Sequence, residues 1–517
     1  MHFALFGIDA SLDNKTAAAA GPTDKAATDA AAAHTNELFD ANPRTRAILT
    51  ALLLVALAPV SIVLSFVAWA LGYGRAPKPE AAALSRGARG EQQTVLVTGG
   101  KMTKSLHMAR WFWRAGYRVV MVETPKYWHV GARASRAVAA FRVVPDPRVD
   151  PEGYVAGLAR VAAEEGARYF VPVASPAAAI SDAAAKPALA AVGCESLHFD
   201  LATCERLDNK HAFCEWASNE LRLPAPATVL LESDADARAL NASLAAAAAR
   251  AAAAGERAGP RYVLKNLEYD SQHRLDLFQL PCAPDALDRY LSSLTGPFAL
   301  SPATPWQAQR FLVGPEYTAF AVLREGAVRA LTVSASSASQ LNYVHVDHAK
   351  IEAWVVAFAA KTRLTGMLCW DFIDDELAGA PFPIECNPRV HTQCSVFLDD
   401  DAFGAAVLAP APPALPRRDA GGVRRPPAGA TPVYWLFNEL FRLLFPAHYG
   451  RLPGGARGLA RMLLTQQDAQ LDGCDPLPMI IANHVQLPCL LLGNAWRGNP
   501  WKKVDFAIGK VVEVNGD

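Results

Sequence analysis

Residues Pro383-Ile384-Glu385-Cys386-Asn387-Pro388-Arg389 read as a short apolar strand that ends in a carboxylate, an amide and a guanidinium. A second strand-like run upstream, Met367-Leu368-Cys369-Trp370-Asp371-Phe372-Ile373, carries another carboxylate at Asp371. Side chains alternate along a strand, so Glu385 and Asn387 share a face. Antiparallel pairing of the two runs would set Asp371 beside them. Three hard oxygen donors without thiolate or imidazole suit Mg²⁺, which keeps waters and completes its shell from phosphate. Arg389 would then meet phosphate oxygens as a bidentate donor. A hairpin with a surface acidic pair and a structural arginine is the competing reading.

The rest of the chain supplies context. At 517 residues it can hold two to four domains. Lysines plus arginines number 50, as do the acids, so no excess of cations marks a nucleic-acid footprint. The cysteines number 9 and form no CxxC pair, which argues against a disulfide framework or zinc site and for a reducing compartment.

Residues 1–46 are rich in Ala, Asp and Thr and read as a disordered tail. Residues 47–73 carry no charge, a run long enough to cross a bilayer. Pro59 in its middle would kink a helix, so the segment either spans a membrane or bends back as a monotopic hairpin. The competing reading is a buried apolar helix. The flanking basic residues are slightly denser on the C-terminal side, which puts the catalytic body in the cytoplasm, anchored to the membrane if the run inserts. Residues 47–91 are therefore set apart as an apolar membrane-associated segment and linker.

From residue 92 strands and helices alternate, as in a parallel sheet with crossover helices. Strands are expected at 94–98, 117–122, 140–144 and 169–173. Gly99-Gly100 makes the first turn, but GxGxxG is absent, so a redox dinucleotide-binding enzyme fits poorly. Beyond residue 204 come a helical run containing Asp208-Asn209-Lys210 and strands at 228–231, 261–265 and 306–312. A hairpin is expected to turn at Glu325-Gly326. An amphipathic helix is expected at 349–362, and an alanine-rich stretch at 241–254 reads as helix or surface loop.

Lys210, Lys265, Gln309-Arg310-Phe311-Leu312, Glu316, Asp371, Glu385, Asn387 and Arg389 together resemble the ordered site residues of the ATP-grasp ligases. The resemblance implies an α/β chain: an ATP-grasp fold over residues 204–409, preceded by a Rossmann-like parallel-sheet domain over 92–203. Residues 410–517 follow as a linker and C-terminal extension. It implies ATP bound by Lys210, Lys265, Gln309, Arg310, Leu312 and Glu316. Two Mg²⁺ ions would be held by Asp371, Glu385 and Asn387, with Arg389 on the transferred phosphoryl group.

Within that superfamily the chain is similar to the mycosporine-glycine synthase family. The similarity lies in Glu385-Cys386-Asn387-Pro388-Arg389 with His391, in Leu341-Asn342-Tyr343-Val344 with His348, and in the tail around Leu491 to Phe506. It implies ATP-dependent joining of an amino acid, glycine, to a cyclohexenone, 4-deoxygadusol, through a phosphorylated intermediate. Arg389 and His391 would position the acceptor. The alternative is an ATP-grasp carboxylate–amine ligase working through an acyl phosphate. One departure is plain: residues 266–274, where many ATP-grasp enzymes carry a glycine-rich lid, contain no glycine.

Overall fold

The computed structural model describes residues 42–72, 90–173, 176–256, 259–267, 276–336, 341–408, 422–426 and 429–514. Most of the 1–46 tail and of the 266–274 stretch, and much of the 410–427 linker, lie outside the described residues. The last five residues of that tail are not: Pro43–Ala56 is helical, capped by the Asn42 side chain.

The first sheet is parallel and five-stranded, in the order β3-β2-β1-β4-β5. Its strands are β1 (Thr94–Thr98), β2 (Arg118–Glu123), β3 (Ala140–Val143), β4 (Ala167–Val171) and β5 (Glu195–Ser196). β1 is buried along its whole length, and β4 is buried except at Arg168, as in a sheet that helices cover on both faces. In such a sheet the order reverses beside β1, and the crevice past that point usually takes a ligand. Here chain fills it. A Cβ on Gly131 would lie 2.4 Å from the Pro478 carbonyl oxygen, and one on Gly509 would lie 2.1 Å from that of Lys101. Gln486 bonds both the Gly131 amide and the Gly509 carbonyl. The space left is about 10 Å³, no more than a water.

Two four-stranded sheets follow, in the orders β6-β9-β7-β8 and β11-β10-β12-β13. The former comprises β6 (Thr228–Leu231), β7 (Tyr262–Asn266), β8 (Gln279–Leu280) and β9 (Trp306–Arg310), paired antiparallel. The latter comprises β10 (Glu316–Arg324), β11 (Ala327–Ala335), β12 (Gly366–Asp375) and β13 (Ala380–Asn387), also antiparallel. The turn between β10 and β11 has Glu325 at φ 50° and Gly326 at φ 83°, the two positive values of a primed hairpin turn. Each sheet has one apolar face. Trp306, Ala308 and Leu264 pack under the first. Leu368, Trp370, Phe372 and Cys386 pack against the helix Ala349–Thr362 under the second. The opposite faces are left to line a cleft.

This is the α/β arrangement that the resemblance implies: a parallel sheet ahead of two antiparallel ones. One local expectation changes and one open choice is decided. The run after residue 204 is broken at Asn209, which adopts extended backbone and caps a new helix, Lys210–Glu215. The alanine-rich stretch takes the helical one of its two readings, up to Ala253 in the helix Asp234–Ala253, because alanine loses the least on entering a helix.

The C-terminal section does not hang off the body. Trp435, Phe437, Phe441 and Phe506 share one core with Val95, Trp111 and Phe112 of the first domain. Buried ion pairs, Arg110–Asp475 at 2.9 Å and Arg114–Asp472, lock the helix Thr103–Arg114 onto it. Arg424, within the expected linker, is likewise buried against Asp400.

Candidate functional site

Register builds the site. β12 and β13 pair Asp371 opposite Glu385 and Cys369 opposite Asn387, while β10 pairs Thr318 opposite Asp371. Thr318, Asp371, Glu385 and Asn387 therefore share one face. The Thr318 hydroxyl donates to Asp371 Oδ1 at 2.8 Å. Asn387 Nδ2 donates to Glu385 Oε1 at 3.2 Å. The Arg389 guanidinium donates to the Asn387 amide oxygen and reaches Asp208 Oδ1 at 3.4 Å.

Two carboxylates side by side cannot both ionise without a proton or a cation between them. Burial, and then the Glu385 charge, push Asp371 well above the usual carboxylate range. Burial would raise Glu385 too, but Lys210, the hydrogen bond from Asp371 and Lys265 outweigh it and hold Glu385 at about 2. The Lys210 ammonium lies 3.6 Å from Glu385 Oε2, and both side chains keep a quarter or more of their surface open to solvent. A divalent cation fits this donor set: it would replace the shared proton of the pair and take the Asn387 amide oxygen as a third ligand. Among the described residues no three His, Cys, Asp or Glu side chains converge, so such a metal would lean on Asn387 and on ligand phosphate.

The opposite wall comes from β7 and β9. Lys265 donates to Gln309 Oε1 at 2.8 Å, and Gln309 Nε2 donates across the cleft to the Ile384 carbonyl at 3.0 Å. Burial lowers the Lys265 pKa, and Glu385 opposes that. Beside Lys265 in the ladder is Gln307, fully buried, with neither side-chain amide atom partnered among the described residues. Orphaned buried amides are costly, so a cleft that keeps one invites a ligand.

The remaining sequence candidates sit at the cleft's margins. Arg310 turns to Asp375 at 3.5 Å, and its amide donates to Ala227. Leu312 is buried. Glu316 is exposed and accepts from the Ser336 hydroxyl at 2.9 Å. His391 caps the short helix Thr392–Phe397 through the Gln393 amide and packs edge-on to Tyr343. Burial, then Lys104 and Arg389, push its pKa down to about 3, so it is a neutral imidazole. Tyr343 belongs to the 341–344 stretch, and its neighbour Asn342 donates to Glu439, a fully buried carboxylate of the C-terminal section.

Sequence reasoning missed Thr318, Gln307, the Arg389 partner Asp208, and Lys104. Lys104 comes from the first domain and donates to the Val390 carbonyl at 2.6 Å, between Arg389 and His391. Burial, with Arg389 nearby, lowers its pKa to about 7. Only strand register could have singled out Thr318; Asp208 lay two residues from Lys210.

No family profile matches the chain, and no curated protein does. Solved structures do. The L-amino acid ligase from Bacillus licheniformis aligns at 13% identity over 59% of this chain and 68% of its own, with a TM-score of 0.39. Biotin carboxylase from Campylobacter jejuni, solved with an ATP analogue, aligns at 12% identity over 62% and 72%, with a TM-score of 0.44. N5-carboxyaminoimidazole synthetase from Staphylococcus aureus aligns at 12% identity over 61% and 77%, with a TM-score of 0.41. Likenesses this distant carry no weight for activity, which rests on the geometry above.

Proposed function

We propose that this protein is an ATP-grasp ligase that forms a C–N bond and releases ADP and phosphate. The observation that carries the reading is the facing pair of walls: Asp371, Glu385, Asn387 and Arg389 on one sheet, Lys265 and Gln309 on the other, with Lys210 between. Phosphoryl transfer asks little covalent chemistry of a protein; it needs positioning and neutralised charge. Lys210 and Lys265 neutralise phosphate oxygens. Arg389, held by Asn387 and Asp208, meets the group in transfer. Asp371, Glu385 and Asn387 would hold Mg²⁺, which would supply positive charge against the phosphates.

The finer reading rests on the similarity around Glu385 to His391 and Leu341 to Val344. An enol-type oxygen of 4-deoxygadusol takes the γ-phosphoryl group of ATP. The glycine nitrogen attacks the ring carbon, the C–O bond breaks, phosphate leaves with that oxygen, and nitrogen loses a proton. His391 and Arg389 position the acceptor. The second reading, an acyl phosphate attacked by an amine, needs the same phosphate machinery and differs only in which oxygen is activated.

ADP release is the test, assayed with 4-deoxygadusol and single amino acids and, in parallel, with carboxylate acceptors. A heavy-oxygen label in the ring oxygen should appear in released phosphate. Label arriving from a substrate carboxylate would select the second reading, and no acceptor-dependent ADP release across either panel would count against both.

A further inference from the structure

The helices Pro43–Ala56 and Ala58–Ala70 form a run of 28 residues whose most apolar 18-residue window has mean hydropathy 2.7, yet only 28% of that window is buried. One flank is fixed to the body. Trp501 Nε1 donates to the Pro43 carbonyl at 3.1 Å, and the Arg46 guanidinium lies 4.2 Å over the Trp501 ring. His484 reaches the Leu54 carbonyl through Nδ1 at 2.6 Å and the Ser61 hydroxyl through Nε2 at 2.7 Å. Both nitrogens are satisfied by one neutral tautomer, which donates to Leu54 and accepts from Ser61. Ala47, Ala51 and Leu54 pack in the same core as Leu487 and Leu491.

Among the described residues the other flank has no such cover. Leu52 is 59% exposed, Val63 59%, Phe66 63% and Trp69 64%. The helix Leu487–Arg497, packed along Pro43–Ala56, adds Trp496 at 89%. Large apolar side chains this open and this close together mark an interaction face. Charge selects the partner. Around the Pro43 end Arg44, Arg497, Lys502 and Lys503 are all exposed, and the first turn holds no acid. Apolar bulk beside a basic cluster suits acyl chains beneath anionic headgroups.

We infer that residues 43–71 dock the protein on the surface of an anionic phospholipid bilayer, lying in the interface plane rather than crossing it. A crossing helix would turn every flank to lipid. This one is bonded to the body from Pro43 to Ser61, so the chain before it stays on the body's side of the membrane. Thr50 and Ser61, fully buried on the bonded flank, would otherwise face hydrocarbon.

The test uses full-length protein with an N-terminal epitope tag, added to sealed vesicles of phosphatidylcholine with phosphatidylserine and to vesicles of phosphatidylcholine alone. The protein should float with the anionic vesicles and less with the neutral ones. Protease added outside should remove the tag from bound protein. Phe66→Glu with Trp69→Glu should lower the bound fraction by about tenfold, since each large side chain otherwise buries its apolar surface. Circular dichroism should be unchanged, because both residues are exposed; Val63→Glu gives a second variant if it is not. A tag protected inside the vesicle would mean a spanning segment and overturn the inference. So would detergent-free protein that ignores vesicles, or a stable dimer broken by the same double substitution, which would assign the face to a second copy.

Discussion

The face of β7 and β9 turned to the cleft carries an ammonium and two amides; the face of β10, β12 and β13 opposite carries two carboxylates, an amide and a hydroxyl. The walls differ in how they settle their polarity. On the acidic wall every group has a partner: Thr318 on Asp371, Asp371 on Glu385, Asn387 on Glu385, Arg389 on Asn387. On the other wall Lys265 and Gln309 bond each other, and the Gln307 side-chain amide has no partner among the described residues. In the proposed function the acidic wall holds a cation and the other wall gains a partner on binding. A triphosphate with its metal supplies both.

The acidic wall is where the largest effects are expected. Glu385→Ala and Asn387→Ala should each lower ATP turnover by about a thousandfold or more with the fold intact, because a metal ligand is lost where phosphoryl charge develops. Turnover near wild type in both, at saturating Mg²⁺, would return these residues to a structural ladder.

On the facing wall Lys265→Met should cost about ten- to a hundredfold in kcat/KM for ATP, with KM raised, since a charge on phosphate disappears at nearly constant volume. An unchanged KM would break the pairing of the two walls. Gln307→Leu sharpens it from the other side. Removing an unpartnered buried amide should stabilise the ligand-free protein by about 1 kcal/mol and weaken ATP binding. Stabilisation without any change in ATP affinity would strip Gln307 of a ligand role.

The smallest effect concerns the joint between the cleft and the first domain. Folded Lys104 gives up its proton at about 7, whereas the unfolded chain holds it to the ordinary value of 10.5. The unfolded state thus binds more protons between those values, and stability should rise with pH through that window. Lys104→Met should lose this rise, so the melting temperature of wild type relative to the variant climbs from pH 7 to higher pH. A constant difference would contradict the buried, easily deprotonated lysine.

Much of the site could be read directly because it is local. Alternation put Glu385 and Asn387 on one face, and a hairpin-length connection put Asp371 opposite them. The helix Ala349–Thr362 and the turn at Glu325-Gly326 carried their own signals. What stayed hidden depends on contacts distant in sequence. Residues 432–490 show no motif, yet His107 bonds Ala469, and Arg110 bonds Asp475 and the Gln470 carbonyl. Nothing near any of those residues announces its partner. Gln307 was invisible for a different reason: a polar residue in a strand reads as solvent-facing until the sheet above it is known. Asn209 looked like mid-helix, and only its extended backbone shows that it starts the helix carrying Lys210.

The most direct test of the two-wall cleft is equilibrium binding of ATP with and without Mg²⁺ to wild type, Lys265→Met and Glu385→Gln, which needs no acceptor. Wild type should bind ATP more tightly with Mg²⁺ than without it. Glu385→Gln should lose that enhancement, while Lys265→Met should bind weakly in both conditions. ATP binding by wild type that is indifferent to Mg²⁺ and to both substitutions, or no binding at millimolar ATP, would contradict the account.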